Sequence, residues 1–183
     1  MNLFILLSVL LFRPGNNVDT SSIYQLQFAG IDSNAINMSS YAGKHIILYE
    51  FDAAHPDKIQ MTSLDTLYKQ SSNNLAIIAI PVKDFDSADI SKDSLKALLR
   101  DSFQISYPVT DISQARKASA AQQHPLLDWV THLEKNNHFD DDIAEDGYMF
   151  VISDKGVLYS IVKKDISPTG SIMQQVLSNQ PNE

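Results

Sequence analysis

The chain has 183 residues and no cysteine. That length suits one domain with a substantial core, and the missing thiol excludes disulfides, zinc–thiolate sites, iron–sulfur clusters and thiolate nucleophiles. Lys and Arg number 14 against 22 Asp and Glu, a net charge of −8 that argues against a nucleic-acid partner.

Residues 1–22 read as a separate unit. Leu3 to Phe12 is an apolar run broken by one serine and followed by Arg13-Pro14-Gly15. About ten residues fall short of the roughly 20 needed to cross a bilayer, so no stable membrane span is expected. The run suits the apolar region of a secretory signal, and the expectation is export to a periplasmic or extracellular site. An N-terminal anchor or a buried strand is the alternative.

The domain is expected over residues 23–183. Ile23 to Phe28 alternates in character and predicts a strand, with a turn at Asp32-Ser33-Asn34 and a short second strand over Ala35–Met38. His45 to Phe51 is mostly apolar and predicts a central strand covered on both faces. The following helix carries Met61, Leu64, Leu67 and Tyr68 on one stripe. Leu75 to Ile80 predicts a second buried strand, stopped by Pro81. Strand, helix and strand at this spacing make a βαβ unit with parallel pairing.

A helix is predicted from about Lys92 to Phe103, capped by Ser91, and a shorter one over His124–Leu133 carries the only tryptophan, Trp129. Tyr148–Ile152 and Val157–Ile161 flank Ser153-Asp154-Lys155-Gly156 and predict a hairpin. Pro168 to Leu177 closes the chain as a helix. The order of elements predicts an α/β fold, a central mixed β-sheet flanked by helices, for which the thioredoxin-like fold is the simplest architecture.

Several segments together resemble the glutathione peroxidase family. They are Ser39-Ser40-Tyr41-Ala42-Gly43-Lys44 before the first core strand, Leu64-Asp65-Thr66-Leu67-Tyr68 on the first helix and Ile80-Pro81 closing a strand. Tyr107-Pro108-Val109, His124-Pro125-Leu126-Leu127-Asp128-Trp129 and Phe150-Val151-Ile152-Ser153-Asp154-Lys155-Gly156 continue the likeness, which runs from Ile23 to about Leu177. The resemblance implies a peroxidatic cysteine or selenocysteine at the start of the first helix, where this chain has His55. It places the family's helper glutamine on Asp84, its Trp-Asn pair on Glu145 and Asp146, and its second cysteine on Val82. The whole catalytic tetrad is replaced.

Peroxide reduction needs a thiolate or selenolate that attacks the O–O bond and is itself oxidised. Imidazole has no comparable cycle, so thiol peroxidase activity is not expected, although the resemblance carries the family's label of an oxidative-stress enzyme. The replacements leave two readings. In one, the cleft has drifted to exposed polar residues, no cofactor is expected, and the protein acts as a non-catalytic exported binding protein for a protein or small-molecule partner. In the other, His55, Asp84 and Asp146, with Glu145 beside them, hold a divalent metal such as manganese, iron or zinc, or His55 works with a carboxylate as an acid–base pair. Glu50 and Asp52 fall on one side of the central strand and could face the same place. His138-Phe139-Asp140-Asp141-Asp142 reads as a solvated turn, and His124 as a structural element.

Overall fold

A computed structural model describes residues 22–85 and 89–179. The apolar run Leu3–Phe12 lies outside the described residues.

The predicted first strand divides in two. Ile23–Gln25 is a 3₁₀ turn and only Gln27–Ala29 extends as β1, antiparallel to β2 (Ala35–Asn37). The turn forms because the Ser22 hydroxyl accepts the Tyr24 N–H, which lets Ile23 bury its side chain beneath the main sheet.

That sheet has the order β4-β3-β5-β6. β3 (His45–Asp52) and β4 (Leu75–Val82) are parallel and joined by helix α1 (Lys58–Ser71), as the βαβ spacing predicts. β5 (Met149–Ile152) and β6 (Leu158–Val162) form the hairpin, with β5 antiparallel to β3. Gly156 sits at φ +83° in the turn, where a Cβ would be strained and would press within 2.9 Å of the Tyr24 ring.

β4 runs through Pro81 instead of stopping there. The Pro81 carbonyl accepts the Ser113 N–H, on the side of β4 away from β3. A strand residue directs its N–H and C=O to the same side, so the N–H that proline lacks was never part of the β3–β4 ladder.

Alternation along β3 separates the two cores. Ile47, Tyr49 and Phe51 pack against α1, against α2 (Lys92–Ala97, continued by a π turn to Ser102) and against Met173 of the C-terminal helix. Ile46 and Leu48 pack on the opposite face against Leu126, Leu127, Trp129 and Val130 of α3 (Pro125–Thr131). A four-residue helix, α4 (Leu133–Asn136), follows α3, and α5 (Ser171–Ser178) ends the domain. The sheet is therefore covered on both faces, which is why β3 and β4 are nearly continuous apolar runs. No helix among the described residues is long and apolar enough to cross a membrane.

Candidate functional site

The carboxyl ends of β3 and β4, the loop into α1 and the segment before β5 surround the place where the sequence puts its replaced tetrad. β3 delivers Asp52 to its last position. One Asp52 oxygen accepts the Ala54 N–H at 2.9 Å and the other lies 3.1 Å from His55 Nδ1. Asp52 is nearly buried, whereas the His55 ring is mostly exposed. A tight turn thus holds the imidazole at the surface, tethered by its own loop.

Helix α1 begins at Lys58, and Asp57 is its cap. One Asp57 oxygen accepts the N–H groups of Ile59 at 2.8 Å and Gln60 at 3.1 Å. These are donors that a helix start otherwise leaves open, and with the helix dipole they would favour a bound anion or thiolate. In this chain a carboxylate from the same loop occupies them.

Each of the other replaced carboxylates has contacts of its own. Asp84 accepts the N–H groups of Ala115 at 2.7 Å and Arg116 at 2.9 Å, with the Ser119 hydroxyl at 3.3 Å. It latches a distant loop to the end of β4. Glu145 pairs with Lys163 at 3.3 Å and Asp146 with Lys164 at 2.9 Å, both across the approach to the hairpin. Among the described residues, no group of three or more histidine or carboxylate side chains is gathered as metal ligands would be. The three residues expected to share a metal are thus separately engaged in this structure, each by a partner close at hand or by a backbone it anchors.

Glu50 is the group that senses two of them. It shares the face of Ile46 and Leu48, is fully buried, and neither of its carboxyl oxygens makes a hydrogen bond of normal geometry. Burial and then the nearby Asp146 raise its pKa to about 9, Asp84 adds to the rise, and the Tyr148 and Gly147 amides pull it partway back. Glu50 is therefore an uncharged acid at neutral pH. Its position beside the site follows from strand alternation, but its isolation does not.

His124 is structural, as the sequence predicts. Its Nδ1 accepts the Leu126 N–H at the start of α3, and its ring meets Phe28 edge-on at 4.7 Å. Burial lowers its pKa to about 3, so it stays neutral and its buried Nε2 has no hydrogen-bond partner. In the 138–142 loop, Asp140 pairs with Lys117 at 2.9 Å, and Asp142 accepts the backbone N–H groups of Lys117 and Ile143. The segment expected to be a solvated turn is thus tied to Lys117, 23 to 25 residues earlier in the chain.

No protein-family model and no curated protein matches the chain. Solved structures do. The chain is similar to Trgpx in its apo form, with a TM-score of 0.63 and 15% identity over 86% of this chain and 93% of that one. It is also similar to a DsbF homologue from Corynebacterium diphtheriae, with a TM-score of 0.59 and 13% identity over 92% and 97%. A third similar structure is a thiol:disulfide interchange protein of the thioredoxin family from Chlorobium tepidum TLS, at 0.53 and 18% identity over 76% and 86%. The fold is thioredoxin-like.

Proposed function

We propose that this protein is a redox-inactive, glutathione-peroxidase-like member of the thioredoxin fold that works by binding a partner. The observation that carries the reading is the state of the α1 start. The chain has no cysteine, and the donors that would stabilise a reactive anion there are taken by Asp57. What remains at that corner is a tethered imidazole, an uncharged buried acid and carboxylates held by local partners, none of which supports a two-electron peroxide cycle. Export belongs to the same proposal, on the strength of the apolar run Leu3–Phe12.

The test is consumption of hydrogen peroxide and of an organic hydroperoxide by the purified chain, with glutathione or reduced thioredoxin as electron donor. The rate should equal that of a protein-free control at every protein concentration. A rate proportional to protein concentration, lost in His55→Ala, would overturn the proposal.

A further inference from the structure

On the α3 side of the sheet, a cavity of about 430 Å³ lies over β5 and β6. The sheet lines it with Tyr148, Phe150 and Ile161, and the segment after α4 lines it with Phe139, Ile143 and Ala144. That segment is fixed at two points. The buried Asn136 side chain donates to the Phe139 carbonyl at 2.9 Å and accepts the Phe139 N–H at 2.7 Å, and Asp142 accepts the Lys117 N–H at 2.9 Å. The cavity is therefore formed before any ligand arrives, which lowers the ordering cost of binding.

Its wall is aromatic. The Phe150 ring centroid lies 6.4 Å from that of Phe139 and 6.1 Å from that of Tyr148. Phe150 is buried, while Phe139 and Tyr148 keep part of their surface open. A cation already stands at one ring: the Lys163 ammonium is 6.0 Å from the Tyr148 centroid, within reach of the negative ring face. It is held there loosely, because Lys163 is mostly exposed and its ion pair with Glu145 at 3.3 Å is exposed too.

The charges on the lining favour a cation. Asp141 and Asp142 line the cavity together with Lys163, whose charge Glu145 already balances. Asp142 is engaged with backbone N–H groups, whereas Asp141 is exposed and has no ion-pair partner among the described residues.

We propose that this cavity binds a small organic cation, a quaternary ammonium on an apolar body, which displaces the Lys163 ammonium from Tyr148. A quaternary ammonium spreads its charge over methyl groups that need no hydrogen-bond acceptor, which suits a wall of rings and aliphatic side chains. Its body fills the space between Phe139 and Ile161, and Asp141 supplies a countercharge. An anion would meet Lys163 only in competition with Glu145, and would face two carboxylates. The inference rests on the binding reading above and gives that reading a small-molecule partner.

The test uses the full chain and two probes of one shape, meta-hydroxyphenyl trimethylammonium and its uncharged isostere meta-tert-butylphenol. NMR shifts of the amides lining the cavity follow the titrations. The cation should bind about fivefold more tightly than the isostere, and Tyr148→Leu should erase most of that preference. Asp141→Asn should weaken the cation about threefold and leave the isostere unchanged. Lys163→Met removes the competing ammonium and frees Glu145, so it should tighten the cation about threefold. Asp141 and Lys163 are exposed, so their variants decide the matter even if Tyr148→Leu unfolds.

Binding of the isostere as tightly as the cation, weaker binding of the cation to Lys163→Met, shifts confined to other parts of the chain, or no saturable binding would each overturn the proposal. A chain that reduces peroxide defeats the redox-inactive reading, whereas a peroxide-inert chain that ignores the cation defeats only this cavity site.

Discussion

Replacing Glu50 with glutamine should stabilise the protein, and by an amount that grows with pH. The carboxyl ionises near 4.5 in the unfolded chain and at about 9 in the folded one. Between those values folding must take up a proton, so the stability this group contributes is fully present below 4.5 and is lost as pH rises toward 9. Each pH unit in that window costs about 1.4 kcal/mol. At pH 7.5 the wild type therefore carries a penalty of up to about 4 kcal/mol, which glutamine, uncharged and nearly isosteric, does not. For a domain of this size that corresponds to a rise in Tm of roughly 8–16 °C.

Urea denaturation of both proteins at about pH 5 and pH 8 is the assay. The midpoints should nearly coincide at the lower pH and separate at the higher one, with Glu50→Gln the more stable and the slopes unchanged. A gap of the same size at both pH values would refute the reasoning, because the effect would then come from packing rather than from a proton. Greater stability of the wild type at pH 8 would refute the burial of an unpaired acid altogether.

His124 supplies the opposite limb of the pH profile. Its pKa falls from 6.5 to about 3 on folding, so its contribution is complete above 6.5 and is lost as pH drops toward 3. Between 4.5 and 6.5 the two slopes cancel, and the stability profile should show a plateau there that declines on both sides. His124→Asn keeps a capping acceptor for α3 and should flatten the acid limb alone, as read by Tm across the pH series. Asp84→Ala should lower stability by about 2 kcal/mol, since two backbone donors lose their acceptor. The corresponding fall in Tm is roughly 4–8 °C. In the same samples, elemental analysis should find no difference in bound divalent metal between wild type and Asp84→Ala; a stoichiometric metal lost with Asp84 would reinstate it as a ligand.

The elements that were legible were those whose signal is local. The apolar runs of β3 and β4 announce strands covered on both faces, the stripe Met61–Leu64–Tyr68 announces α1, and Gly156 marks the hairpin turn. The elements misread were those decided by a neighbour. Alternation alone predicts a strand over Ile23–Gln25, but the Tyr24 N–H donates to the Ser22 side chain and the segment is a 3₁₀ turn. Pro81 looked like a stop because its partner on the outer edge, Ser113, lies far away in the chain.

The βαβ core, its mixed sheet and the loss of thiol chemistry are legible in the chain alone, because periodicity and composition belong to consecutive residues and an absent cysteine cannot be restored by folding. Tertiary structure alone decided what the replaced residues do. Asp84 is a latch because the 115–119 backbone comes to it across 31 residues, and Asp146 is a surface ion pair because the hairpin returns Lys164 to its side. Glu50 is an uncharged acid because sheet and helices close over it without offering a donor in good geometry. A carboxylate's role is set by which groups the fold brings within hydrogen-bonding distance and how much water it leaves there, and neither is written in the residues on either side of it.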